Sequence, residues 1–152
     1  MPQAFRAADA WNIHASCVVM GRAFIIVSGA AGSGKTSLCH ELASNEARWV
    51  ADDRLVISHK EGLFYFSAPK TLHGLAEQPG AGPVPIDAID PDPTSENHIV
   101  WVELAGSAQL AQRKQISVLG KEIGCLHLPQ RPTAEVILEL QAHIRATRGV
   151  AV

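Results

Sequence analysis

Eight consecutive residues, Gly29-Ala30-Ala31-Gly32-Ser33-Gly34-Lys35-Thr36, constrain this chain more than anything else in it. They satisfy G-x-x-x-x-G-K-[ST] at every fixed position. An apolar, β-branched segment precedes them, and Ser37 opens a stretch with Leu38 and Leu42 four apart, the spacing of one buried helical face. Glycines at these positions let successive backbone N–H groups curl around anionic oxygens, and the helix N-terminus adds positive potential. Lys35 supplies a point charge for the outer phosphates, and the Thr36 hydroxyl suits Mg²⁺. The expected nucleotide-binding set is therefore residues 29–37, with ATP and Mg²⁺ as cofactors.

The rest of the sequence reads as a β-rich α/β domain built around that loop. Residues 13–20 and 23–28 predict two paired strands about a Gly21-Arg22 turn, and residues 37–44 predict the helix. Trp49-Val50-Ala51 predicts a short strand ending in Asp52-Asp53, and residues 55–58 and 63–67 a hairpin around Glu61-Gly62. Residues 69–93 hold six prolines, too many breakers for long regular elements, and predict an active-site flap anchored by Leu72, Leu75, Val84 and Ile86. Residues 99–104 and, more weakly, 123–128 predict strands. Thr133 opens a final helix with Ile137, Leu140 and Ile144 on one face and Arg145 and Arg148 at its negative end.

With 152 residues, one domain spanning residues 1–152 is expected. Thirteen Lys plus Arg against fifteen Asp plus Glu leave no basic stripe for a nucleic-acid backbone. No apolar run is long enough to span or anchor to a membrane. Cys17, Cys39 and Cys125 stand apart and outside any C-x-x-C pattern, which reads as packed thiols in a reducing, cytoplasmic setting. The seven histidines lack H-x-x-x-H spacing, so no zinc site is expected. Trp11, Trp49 and Trp101 sit among apolar neighbours and read as core.

Asp52-Asp53 closes its strand seventeen to eighteen residues after Lys35, where a strand beside the phosphate-loop strand commonly delivers a metal-binding or base carboxylate. Alone, such a pair is more often a turn former. Joined to a phosphate loop, it reads as functional.

His14, the phosphate loop, Asp52-Asp53, Ala68-Pro69 and Gly74-Leu75-Ala76-Glu77, in that order, resemble HPr kinase/phosphorylase in the short form that lacks an N-terminal domain. The resemblance runs from about Ile13 to Leu140. It implies a fold similar to the nucleotide-binding domain of phosphoenolpyruvate carboxykinase. It also implies phosphoryl transfer from ATP to a serine of the phosphocarrier protein HPr, reversal using inorganic phosphate, and assembly into homo-oligomers. It places His14, Lys35, Asp52 and Asp53 in the catalytic set, with Asp53 taking the proton from the seryl hydroxyl. Thr36, Glu77 and Asp53 become the metal-binding residues, Glu77 by its place in the family's E-x-R-G motif.

Two departures stand out. Pro79 replaces the arginine of E-x-R-G, and Pro129-Gln130-Arg131-Pro132-Thr133-Ala134 stands where relatives carry P-V-R-P-G-R-N, so only Arg131 of that motif's two arginines is matched. Kinase chemistry is therefore more secure than phosphorylase chemistry. Arg113 aligns loosely with another family arginine and reads by itself as a surface helix residue. The rival expectations are a small-molecule kinase, which would ordinarily carry an arginine-rich lid, and a nucleotide-binding sensor that has lost transfer.

Overall fold

The computed structural model describes residues 10–45, 47–78, 82–105 and 110–148, with side chains left undescribed at 77, 78, 111–114 and 148. Its frame is a six-stranded mixed sheet in the order β10-β11-β9-β3-β2-β4. The strands are β2 (Ser16–Met20), β3 (Ala23–Gly29), β4 (Ala47–Ala51), β9 (Ile99–Leu104), β10 (Ala111–Val118) and β11 (Lys121–Leu128). At its centre β3, β9 and β11 run parallel, while β2, β4 and β10 pair antiparallel to their neighbours. A smaller antiparallel sheet of β1 (Ala10–Ile13), β5 (Leu55–Lys60) and β6 (Leu63–Ser67) lies beside it.

Alternation along β3 shows how one strand serves two cores. Ile25 and Val27 pack with Leu38 and Leu42 of helix α1 (Lys35–Asn45) and with Ile137, Leu140 and Ile144 of helix α2 (Ala134–Arg148). Phe24 and Ile26 point the other way, into a cluster with Leu55, Ile57, Phe64 and Phe66 of the small sheet. Successive side chains of a strand face opposite sides, so a continuous apolar run requires cover on both faces. The helices cover one face and the small sheet the other. Phe24 and Phe66 stack with ring centroids 5.0 Å apart.

Most expected elements appear, some with shifted bounds. Residues 13–20, expected as one strand, break at His14-Ala15: Ile13 pairs with Leu55 in the small sheet, while Ser16 pairs with Val27 in the large one. The chain changes sheets there, and no local signal marks the crossing. Helix α1 starts at Lys35, two residues earlier than its apolar spacing indicates, because the phosphate loop itself forms its first turn. Strand β10 was not expected. Its sequence, Ala-Gln-Arg-Lys-Gln-Ile-Ser-Val, is mostly polar, as suits a sheet edge. Arg113 therefore lies on a strand rather than a helix, with its side chain outside the described residues.

Residues 69–78 and 82–93 form short pieces, as suits a proline-rich segment. A single 3-10 turn (Lys70–Leu72) leads into a hairpin of β7 (Leu75–Gln78) and β8 (Gly82–Pro85). The segment is then tied to the frame, with Ile89 N–H donating to Trp49 O at 2.8 Å and Phe64 and Thr94 exchanging backbone bonds. Trp49 is buried, but Trp11 and Trp101 are only half-buried, so the expectation of three core indoles holds for one. Cys17, Cys39 and Cys125 are free and buried. No helix among the described residues is long and apolar enough to cross a membrane.

Candidate functional site

The phosphate loop leaves β3 at the carboxyl end of the parallel strands, the edge where open α/β sheets bind ligands. Gly32 and Gly34 have φ of 80° and 100°, in the left-handed region that favours glycine. A methyl group on Gly29 would meet Ser33 Oγ at 2.5 Å and Leu104 O at 3.1 Å, and one on Gly34 would meet Arg131 Cα at 3.1 Å. On Gly32 it would meet nothing within 4 Å, because that residue borders open space.

That space is a cavity of about 500 Å³. Ala31, Gly32, Gly34, Lys35, Thr36 and Ser37 line it on one side, and Asp52 and Asp53 on another. The β7–β8 hairpin and the turn before it complete an apolar wall of Leu72, Leu75, Ala76 and Pro83. The expected flap thus does border the site.

Lys35 is the first residue of α1, and its ammonium donates to Gly29 O at 3.1 Å and Ala30 O at 3.5 Å. An ammonium has three donors, and loop carbonyls at these distances leave it able to hold an anion. Thr36 Oγ1 donates to Asp52 Oδ1 at 2.9 Å and Oδ2 at 3.1 Å. Ser16 Oγ, buried on β2, donates to Asp52 Oδ1 at 2.7 Å and accepts from Asp53 N at 3.0 Å. Ser16 was not among the expected residues. A single hydroxyl inside the apolar run Ser-Cys-Val-Val-Met is its only trace in sequence.

The two aspartates separate cleanly. Asp52 is buried against Thr36, whereas Asp53 is exposed and its Oδ1 lies 3.4 Å from His14 Nδ1. Arg54 N–H donates to Asp52 O at 2.8 Å, closing a three-residue turn around Asp53, whose φ is 66°. Such turns are rare and strained, and strain of this kind collects where a side chain must be aimed. The sheet change at His14-Ala15 is what puts the imidazole beside Asp53.

Arg131, with φ of 46°, is held on the loop by two bonds of 2.7 Å, from its backbone N–H to Ser33 O and from Nη1 to Gly32 O. It also lines the cavity. Glu77 lies on β7, whose neighbours Leu75 and Ala76 line the cavity, but its side chain is outside the described residues, as is all of Pro79.

The donor set fits Mg-ATP. Thr36 and Asp52 bring hard oxygen donors within 3.1 Å of each other, the kind Mg²⁺ takes. The cavity has a cationic, N–H-rich end at the loop and an apolar end at the hairpin, matching a phosphate tail and a base.

No protein-family model matches the chain, and no curated protein matches it. Its fold is that of an HPr(Ser) kinase/phosphatase from Coxiella burnetii, whose solved structure is similar with a TM-score of 0.73, 16% identity and 90% of each chain covered.

Proposed function

We propose that this chain is a single-domain, Mg-ATP-dependent phosphotransferase that phosphorylates a seryl hydroxyl of an HPr-type phosphocarrier protein. One observation carries the reading: the phosphate loop, Lys35, Thr36 and both aspartates line the same cavity. The likeness of fold to an HPr(Ser) kinase/phosphatase supports the protein acceptor.

Bound Mg-ATP would supply the phosphoryl group and the cation that neutralises charge on it. The backbone N–H groups of residues 29–37 and the Lys35 ammonium hold the phosphates in place. Thr36 and Asp52 would offer oxygens to the cation, and Glu77 of β7 is the further metal-binding residue that the resemblance implies. Asp53, presented by its strained turn, takes the proton from the incoming hydroxyl, and His14 orients its carboxylate. Asp53 was also expected to bind the metal. Asp52 suits that role better, because its carboxylate is the one bonded to Thr36. Reversal with inorganic phosphate, a cytoplasmic location and homo-oligomerisation belong to the same proposal.

The test is incubation of the purified chain with labelled ATP, Mg²⁺ and HPr, followed by detection of phosphoserine. Lys35→Ala should abolish labelling while circular dichroism stays native. Calorimetry that finds no ADP or ATP binding to folded chain, with or without Mg²⁺, sinks the reading. Nucleotide binding without any labelled protein would point to the sensor instead.

A further inference from the structure

A second constellation lies on β9 and β11, on the sheet face turned away from α1 and α2. Cys125 and His127 are two residues apart on β11 and share that face, and the parallel register sets His127 directly beside Glu103 of β9. His127 Nε2 lies 3.2 Å from Glu103 Oε1. The Cys125 sulfur, a carboxylate oxygen of Glu103 and an imidazole nitrogen of His127 all lie within 4.8 Å of one another.

A surface ion pair accounts for two of these groups and not for the third. The sulfur is buried, while His127 and Glu103 are 26% and 45% exposed, so solvent reaches the group through the imidazole and the carboxylate. Trp101 pairs in register with Cys125, and its Nε1 donates to Ser28 Oγ at 2.7 Å, which fixes the indole as a neighbouring wall.

We infer that Glu103, Cys125 and His127 form a binding site for Zn²⁺ or a similar divalent transition metal, separate from the phosphate-loop cavity. Zn²⁺ binds thiolate sulfur at about 2.3 Å and imidazole nitrogen or carboxylate oxygen at about 2.0–2.2 Å. Tetrahedral geometry with those bonds sets ligands roughly 3.3–3.7 Å apart. The His127–Glu103 distance already meets that spacing within about 0.1 Å, and the Cys125 sulfur lies within 4.8 Å of both partners. On binding, the Cys125 thiol releases its proton to solvent and the sulfur ligates as thiolate, while water takes the fourth position. The mixed sulfur, nitrogen and oxygen set disfavours Mg²⁺, which prefers oxygen alone.

A redox-active thiol is the competing reading of Cys125. Reactive thiols sit partly exposed in electropositive surroundings, whereas this sulfur is buried beside the Glu103 carboxylate. A bound cation would brace β9 against β11 just before the turn that carries Arg131 onto the phosphate loop.

Titration of the chelator-treated chain with cobalt chloride, without nucleotide, tests the site. The expected result is a thiolate-to-cobalt charge-transfer band that saturates at a single equivalent and is displaced by zinc chloride. Lys35→Ala should keep the band and Cys125→Ser should lose it. His127→Gln should weaken cobalt binding by more than roughly 100-fold, since even partners outside the ligand set are worth about 10–100-fold. No band in folded wild-type chain, or an undiminished band in Cys125→Ser, overturns the assignment. Should Cys125→Ser fail to fold, His127→Gln decides, because its ring is partly exposed: unchanged cobalt affinity in that variant refutes the site.

Discussion

The Thr36 hydroxyl donates to both carboxylate oxygens of Asp52, at 2.9 and 3.1 Å, and so ties the first turn of α1 to the end of β4. Ser16 donates to the same carboxylate at 2.7 Å. Three elements distant in sequence thus meet on one buried carboxylate.

Replacing Asp52 by asparagine keeps the shape and removes the charge. Mg²⁺-dependent enhancement of ADP binding should fall by roughly 10–100-fold, while binding without Mg²⁺ changes little. Calorimetry at fixed ADP with and without Mg²⁺ measures both. An unchanged Mg²⁺ dependence would move the cation to another carboxylate.

Asp53 should separate stability from activity. Asp53→Asn retains ADP binding and lowers transfer to HPr by about 10²- to 10⁴-fold. Because φ at this position is 66°, Asp53→Gly should be more stable than Asp53→Ala by about 1 kcal/mol, and both should be inactive. Urea unfolding of the two variants, read beside the labelling assay, gives both numbers. Equal stability would mean that the turn carries no strain.

Gly34→Ala tests the contact between the loop and the segment after β11. The added methyl would meet Arg131 Cα at 3.1 Å from a backbone with φ of 100°. Destabilisation of about 1–3 kcal/mol is expected, with nucleotide binding weakened as the loop shifts. Gly32→Ala shares the positive φ but meets nothing within 4 Å, so its methyl should cost less stability. A reversed order in chemical denaturation would contradict this account of the loop.

The buried thiols predict an alkaline limit. Burial raises Cys17 and Cys39 well above their ordinary value of 9.0, so the unfolded chain loses these protons first as pH rises. Each thiol's contribution is fully present below about pH 9 and is lost above it, at about 1.4 kcal/mol per pH unit. Unfolding free energies between pH 8 and 10 should therefore fall by about 1.4 kcal/mol less in total in Cys17→Ala than in wild type. Parallel slopes would show that Cys17 ionises in the native state.

Local chemistry made the phosphate loop, helix α1, the hairpin about Glu61-Gly62, strand β9 and the capped final helix legible in the sequence. Each depends on contacts within a few residues: glycines where φ is positive, apolar side chains four apart, or an alternating strand. Val136 N–H does donate to Thr133 Oγ1, at 3.3 Å, as an N-cap should. Tertiary structure alone decided the relationships between strands. It broke residues 13–20 at His14 so that the imidazole could reach Asp53, gave Asp52 rather than Asp53 to Thr36, and made Ser16 their common partner. Strand register also set Glu103 beside His127, a pairing across twenty-four residues of chain that no spacing rule anticipates. Side-chain periodicity is written along one strand, but which strand lies next to it is settled only when both faces of the sheet are covered.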